Sequence, residues 1–197
     1  MTDLGTLGGR NSSATAVSAD GSVIVGYSYL TGDSDNHAFR YTGSTMFDLG
    51  TLGGTSSSAT AVSADGSVIV GSSSITGNSA THAFKYIGIM MTDLGTLGGR
   101  NSSAYAVSAD GSVIVGQSDL TGNGAYRAFK YTGSTMTDLG TLGGTSSTVN
   151  AVSADGSVIV GYSDLTGDTA YRAFKYTGST MTDLGTLGGT YSYASAV

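Results

Sequence analysis

The seven residues DLGTLGG recur five times in this chain of 197 residues, at a constant spacing of 45 residues. They begin at Asp3, Asp48, Asp93, Asp138 and Asp183. Two further motifs, SADGSVIVG and AFRY or AFKY, keep the same period without insertion or deletion. Such a constant period indicates a repeat architecture. The sequence therefore predicts a single repeat domain over 1–197, with units starting at 3, 48, 93 and 138 and a partial unit over 183–197.

Each unit has the pattern of four short strands joined by turns. In the first unit, ATAVSAD runs into a two-residue turn at Asp20-Gly21, because Asp and Gly tolerate the backbone of a tight hairpin. The apolar, β-branched SVIVGYS predicts a central strand, and HAFRY predicts a third strand with alternating faces. STMFDLGTL is the predicted fourth strand, and the double glycine that follows is expected to end it and permit the step between sheets.

The composition agrees with strands and turns, since the chain has 32 glycines and neither proline nor glutamate. One four-stranded sheet cannot bury both of its faces, whereas stacked sheets cover each other. A period of about 40–45 residues is typical of a propeller blade. We therefore predict an all-β repeat protein, a β-propeller of four 45-residue, four-stranded blades. The alternatives are a β-solenoid with two rungs per unit or an open arc of a larger propeller.

The order of these signals resembles a WD40-type blade, although a Tyr such as Tyr41 stands where the Trp of the Trp-Asp pair would be. The chain is also similar to the HAF family of bacterial extracellular repeats. Its two hallmarks are DLGTLGG and a His-Ala-Phe motif, which occurs here at 37–39 and 82–84 and becomes Arg-Ala-Phe in the last two units. This resemblance implies secreted or cell-surface proteins, autotransporter-like passengers among them, without established enzymatic activity.

The WD40 resemblance makes AVSAD the inner strand and MTDLGTL the outer strand of each blade. The predicted sheets then span 14–52, 59–97, 104–142 and 149–187, with an outer strand left over at 1–7 and an inner strand at 194–197. These leftover pieces indicate a fragment of a longer array or an open ring. Unpaired edges favour association, so a homo-oligomer is expected. Met1 leads directly into a repeat, so no signal peptide is visible.

Charge and hydropathy exclude several classes of partner. The net charge of −6 at pH 7 argues against nucleic acid, whose phosphates would be repelled. The chain has no run of about 18 apolar residues, so no membrane span is predicted. It has no cysteine, which excludes a disulfide framework.

No motif predicts catalysis, and no cofactor is expected. DLGTLGG lacks the Lys-Ser/Thr of a phosphate-binding loop, and no helix follows it. Asp20 and its equivalents are interpreted as turn residues, and Asp3 and its equivalents are expected to lie mid-strand and accept backbone N–H groups. His37 and His82 become Arg in the later units, which a recurring metal ligand would not do. Calcium near Asp33 and Asp35 is left open by that single cluster of oxygen ligands.

The residues that differ between units are the candidates for binding, because loops on a rigid scaffold carry function. The candidate ligand-binding residues are Tyr27, Asn36, Tyr126, Arg127, Tyr171 and Arg172. The predicted function is a non-catalytic structural or interaction module, secreted from or displayed on a bacterial cell. The alternative is a lectin-like, carbohydrate-binding propeller with one shallow site per blade, since exposed Tyr suits sugar stacking. The expected partner is accordingly a protein or a glycan.

Overall fold

The computed structural model describes residues 2–197; Met1, part of the outer strand predicted over 1–7, lies outside the described residues. The described chain forms four sheets of four strands each. The strands are β1 Gly8–Val17, β2 Ile24–Leu30, β3 Asn36–Thr42, β4 Thr45–Asp48, β5 Gly53–Val62, β6 Val68–Ile75, β7 Thr81–Ile87, β8 Met90–Asp93, β9 Gly98–Val107, β10 Val113–Leu120, β11 Tyr126–Thr132, β12 Thr135–Asp138, β13 Gly143–Val152, β14 Val158–Leu165, β15 Tyr171–Thr177 and β16 Thr180–Asp183. Helix is confined, within 2–197, to one 3₁₀ turn at Thr76–Asn78.

Every sheet is an antiparallel meander in which consecutive strands are neighbours. The all-β prediction and the four-stranded, propeller-type unit are therefore confirmed. The solenoid alternative is wrong, because stacked solenoid rungs would pair in parallel across units. No helix of the described part is long and apolar enough to cross a membrane.

The DLGTLGG motif connects two sheets, and its predicted position on the fourth strand is wrong. The fourth strand ends at the Asp, as at Asp48, because the next glycine, Gly50, has a φ of +72° that turns the chain out of the sheet. The double glycine does not end a strand: Gly53 and Gly54 begin β5 of the following sheet. The first strand thus begins earlier than the predicted ATAVSAD segment, and ends at Val17 in the first unit.

Neighbouring sheets pack face to face through three hydrophobic clusters, one at each junction. At the first junction, Val23, Val25, Ala38 and Leu49 of one sheet contact Ala59, Ile69 and Phe84 of the next. The same positions, 45 and 90 residues later, build the second and third junctions. Each fully buried Ile or Phe contributes about 1.5–3 kcal/mol. The sheets therefore stabilise one another, as repeat units do.

Hydrogen bonds cross each junction beside these clusters. Ala19 N–H donates to the carbonyl of Ala64 at 3.0 Å, and Ala64 N–H donates in turn to Ala109 at 3.0 Å. The buried hydroxyl of Ser57 accepts the N–H of Ala38 at 2.8 Å and donates to the carbonyl of Gly50 at 2.6 Å. One serine thereby joins a third strand, the DLGTLGG connector and the next first strand.

The residues after the last sheet continue this pattern, although the inner strand predicted over 194–197 has no strand pairing. Ala173 N–H donates to the Ser192 hydroxyl at 3.0 Å, and Asn150 Nδ2 donates to the carbonyl of Ala194 at 2.7 Å. These bonds repeat those made to Ser57 and Ala59 at the first junction. The segment 188–197 therefore lies where the first strand of a fifth sheet would begin.

At the opposite end, the first sheet presents an uncovered face. Ala14, Val17 and Ile24 line a shallow apolar depression there, and Val17 is 56% exposed. No hydrophobic cluster of the described residues joins the fourth sheet to the first. The four sheets form an open arc of blades, and the prediction of oligomers through its edges stays a prediction.

A glycine in each central strand is required by a β-bulge in the first strand. In the second sheet, Ala59 pairs with Gly71 and Ala61 pairs with Val70, so Thr60 is the extra, bulged residue. A Cβ on Gly71 would lie 2.0 Å from the carbonyl oxygen of Ser58 and 2.9 Å from the ring of Phe84. The bulge, the glycine and the phenylalanine opposite it therefore form one unit.

We expect Gly71→Ala to destabilise the chain by about 3 kcal/mol or more, because the backbone oxygen at this site cannot move aside without breaking the sheet. Gly124→Ala is the matched control, since nothing lies within 4 Å of a Cβ there and its φ is not positive. That change should be neutral or stabilising by up to about 1 kcal/mol. Urea unfolding followed by circular dichroism measures both, and equal stabilities of the two variants would contradict this interpretation.

Candidate functional site

The histidines of the His-Ala-Phe motif pair with the Asp of DLGTLGG. His37 Nδ1 donates to the carboxylate of Asp48 at 2.8 Å, and His82 Nδ1 donates to Asp93 at 2.8 Å. Asp48 Oδ1 also accepts the N–H of Gly50 at 2.7 Å, which confirms the expected capping role, although the Asp ends the strand rather than lying within it. The two repeat hallmarks thus form one structural contact.

Arginine takes over this pairing in the last two units. Arg127 Nε lies 3.8 Å from Asp138 Oδ2, and Arg172 Nη1 lies 3.9 Å from Asp183 Oδ2. Both distances are too long for hydrogen bonds, so these are loose ion pairs. Arg172 Nε additionally donates to the carbonyl of Thr190 at 3.1 Å. A His or Arg side chain therefore lies beside the connector Asp in all four units.

The Asp of each SADG turn is held by two serines. Asp20 Oδ1 accepts the backbone N–H of Ser22 at 3.0 Å and the hydroxyl of Ser18 at 2.7 Å. These bonds stabilise the carboxylate and lower the pKa of Asp20 from 3.8 to about 2. The same serine contacts lower the pKa of Asp65, Asp110 and Asp155 to about 2. These carboxylates hold the turn, as the sequence predicts.

The calcium hypothesis near Asp33 and Asp35 gains no support. Asp33 has a φ of +57°, and its carboxylate accepts the N–H of Arg10 at 2.8 Å. Asn78 and its later equivalents make the same bond to the start of the first strand. Within residues 2–197, no three or more His, Cys, Asp or Glu side chains come together as a metal site would require.

The six candidate binding residues do not form one site. Tyr27 lies in the first sheet, edge-on to Tyr29 with ring centroids 6.3 Å apart. The side chain of Asn36 crosses the first junction and donates to the carbonyl of Ser57 at 2.8 Å. Arg127 and Arg172 lie beside the connectors described above. Only the remaining two, Tyr126 and Tyr171, belong to a common surface.

That surface is a row of tyrosines along one end of the third and fourth sheets. The tyrosine row consists of Tyr105, Tyr126, Tyr162, Tyr171 and Tyr191. The rings of Tyr162 and Tyr171 are 5.3 Å apart between centroids, and those of Tyr171 and Tyr191 are 4.8 Å apart. Burial raises the pKa of the Tyr105 and Tyr126 hydroxyls, and Tyr162 raises the pKa of both further.

The tyrosine row offers aromatic faces and hydroxyls without an acid–base pair or a metal ligand. Such a surface can stack against a planar or apolar ring face and form hydrogen bonds. Sequence reasoning did not select Tyr191, because small polar residues occupy this position in the other units: Asn11, Ser56, Asn101 and Ser146. The signal that would have found it is the change from small polar residues to Tyr at the position facing Tyr171.

Comparison with known proteins supports the fold alone. No family model matches the sequence, and no curated protein sequence matches it. Among solved structures, TolB from Acinetobacter baumannii aligns with a TM-score of 0.62 at 18% identity, covering 87% of this chain and 42% of that one. A protein assigned as TolB from Agrobacterium tumefaciens aligns with a TM-score of 0.63 at 14% identity, covering 89% of this chain and 62% of that one. The chain thus spans less than two thirds of either structure.

The low pKa of the four turn carboxylates makes stability depend on pH. A carboxyl whose folded pKa of about 2 lies below its ordinary 3.8 stabilises the fold above pH 3.8, and this contribution is lost as the pH falls towards 2. Thermal unfolding measured from pH 5 to pH 2 should therefore show a steep loss of stability.

Asp110→Asn should make that loss shallower, because the amide cannot be protonated in this range, whereas Thr137→Asn at an exposed position of β12 removes no carboxyl and should not. The two variants are compared with the wild-type chain at each pH. An unchanged slope in Asp110→Asn would show that the serine contacts do not stabilise the charged form.

Proposed function

We propose that the chain is a non-catalytic interaction module, and that its array of blades is displayed on or secreted from a bacterial cell. One observation carries the first part of this proposal. The side chains with reactive chemistry, the histidines and the repeated aspartates, are engaged in the contacts that hold turns and connectors. What differs between units, and so is left for a specific partner, lies at the exposed ends and edges of the sheets.

The architecture supports binding of a partner more than turnover of a substrate. Three near-identical junctions make a rigid scaffold with repeated surfaces, which suits an extended contact with a second molecule. A catalytic centre would need a local departure from this symmetry with an acid, a base or a nucleophile. The tyrosine row is such a departure from the symmetry, and the side chains that form it are aromatic.

The extracellular location rests on the motif resemblance. The pairing of DLGTLGG with the His-Ala-Phe motif gives those two hallmarks a shared structural reason, since His37 and Asp48 bind each other. The resemblance to secreted and surface-associated HAF proteins therefore involves residues that act together in this fold. The likeness to TolB structures adds the propeller fold and nothing about location.

A glycan is the second candidate partner, and the tyrosine row favours it. Tyr191 is 57% exposed and packs on Tyr171, and stacked tyrosines are suited to the apolar face of a sugar ring. The row covers the third and fourth sheets and the segment after them. The glycan proposal is therefore a localised site there, in place of one shallow site in every blade.

A photo-cross-linking experiment on intact producing cells tests these proposals. A photoreactive phenylalanine replaces Tyr126 or Tyr191 in the tyrosine row, or Ser134 or Ser179 at two exposed hairpins. We expect at least one position to yield a recurring protein partner, and external biotinylation to label the chain before lysis. A glycan array run in parallel should instead show saturable binding, lost in Tyr126→Ala with Tyr171→Ala, if the glycan candidate is correct.

Each outcome of these experiments tests a separate part of the proposed function. Cross-links no stronger than those of a sample without the chain, together with a blank glycan array, would overturn the interaction proposal. Labelling that requires lysis would overturn the surface location. Retention of glycan binding in the double Tyr variant would remove the tyrosine row as its site.

A further inference from the structure

A second surface breaks the repeat symmetry, on the outer edge of the first junction. A groove of about 320 Å³ lies between the first and second sheets. Its walls are formed by Arg40, Phe47 and Leu49 from the first sheet and by Tyr86 and Ile89 from the second. We call this the outer groove. Phe47 is 50% exposed and Ile89 is 95% exposed, so large apolar side chains face water here.

Three of the residues that line this groove are not found at the equivalent positions of the other units, where polar residues replace the two apolar ones. Phe47 is replaced by Thr92, Thr137 and Thr182, and Ile89 is replaced by Ser44, Ser134 and Ser179. Arg40 is replaced by Lys85, Lys130 and Lys175. The fold does not require the apolar residues, because three other units form the same strands without them. An exposed apolar patch that the fold does not need is characteristic of a binding surface.

The same hairpin carries two more departures outside the groove walls. Ile87 and Met90 pair with each other across β7 and β8, where the other units pair two threonines. They are 47% and 67% exposed. They do not line the groove, which makes them suitable controls.

The groove also holds a cation without a partner. Among residues 2–197, no side chain or carbonyl forms a hydrogen bond or ion pair with Arg40, and its Nε is buried from water. The equivalent cation at the second junction, Lys85, lies over the ring of Tyr131 at 5.6 Å. Asp48, the acid of the groove, is already bound to His37 and Gly50. The guanidinium of Arg40 is therefore the charged group that remains for a ligand, and it matches a carboxylate in charge and shape.

We propose that the outer groove binds the C-terminal residue of a partner polypeptide that ends in an apolar side chain. This inference rests on the proposed function as an interaction module and names its site and the chemistry of its partner. Arg40 and Phe47 are directly opposed on β3 and β4, so a cationic and an apolar surface lie side by side. A chain end carries its carboxylate and its last side chain on one carbon atom, which suits this adjacency better than an internal acidic residue does.

Nuclear magnetic resonance of the full chain with small probes tests the proposal. The probe is N-acetylphenylalanine, and its matched control is N-acetylphenylalanine amide, which lacks the carboxylate. We expect the acid to shift saturably the Nε–H signal of Arg40 and the amide signals of Phe47, Ile89 and Gly88, which also lines the groove. So small a probe should bind with a dissociation constant on the order of 1 mM. The amide should bind about tenfold more weakly.

Variants that copy the other units keep the test independent of folding. Phe47→Thr with Ile89→Ser should abolish the shifts, and Arg40→Gln should weaken acid binding about tenfold while leaving amide binding unchanged. Ile87→Thr with Met90→Thr should bind like the wild type. Equal binding of acid and amide, or wild-type binding by the groove variant, would overturn the proposal.

Two further outcomes would also overturn it, and they leave the proposed function intact. Self-association that Phe47→Thr with Ile89→Ser abolishes, measured by sedimentation equilibrium, would identify a second copy of the chain as the occupant. Failure of the probe to shift groove signals, while photo-cross-linking still gives a recurring partner elsewhere, would show that the chain binds through another surface. If the probe shifts no groove signal and photo-cross-linking also gives no recurring partner, the proposed function as an interaction module is overturned as well.

Discussion

The junction between neighbouring sheets is the contact on which the rest of this structure depends. Each sheet has an apolar face that only the next sheet covers, as Phe84 and Ile69 cover Val25 and Ala38 at the first junction. The polar groups at that contact are bound across it, with the Ser57 hydroxyl between Ala38 and Gly50. Apolar burial and hydrogen bonding therefore require the same relative position of the two sheets. This double requirement explains why the repeat length does not vary.

The junction also explains why the sequence devotes so many polar residues to structure. A β-bulge at Thr60 directs its hydroxyl to the carbonyl of Ala104 in the next sheet, at 2.8 Å. The His37–Asp48 pair holds the connector that leads into the following first strand. The histidines and aspartates, which could be reactive groups in another protein, thus form structural contacts here. The surfaces available to a partner are those where the units differ, the tyrosine row and the outer groove.

Much of the fold could be predicted from the sequence, because the same turn and strand signals recur in every unit. The constant period, the Asp-Gly hairpin and the β-branched central strand were enough for a four-stranded blade. The boundaries of the first strand were not, because the double glycine at Gly53 begins a strand by pairing with Ile75, distant along the chain in the same sheet, and local propensity does not contain that pairing. The candidate site was harder still. Tyr126 and Tyr171 differ between units and can be selected on that ground. Tyr191 meets Tyr171, and Ile89 meets Phe47, only through packing between units.

Hydrogen exchange of individual amides tests the central claim most directly. Ala64 and Ala83 donate across junctions, to the carbonyl of Ala109 and the hydroxyl of Ser102, while the amides of β6 bond within one sheet. If the junctions carry the stability of the array, both groups should exchange with the same free energy of opening, through the same cooperative unfolding. Exchange of Ala64 and Ala83 through openings that leave β6 protected would show that each sheet is stable on its own, and would contradict this account.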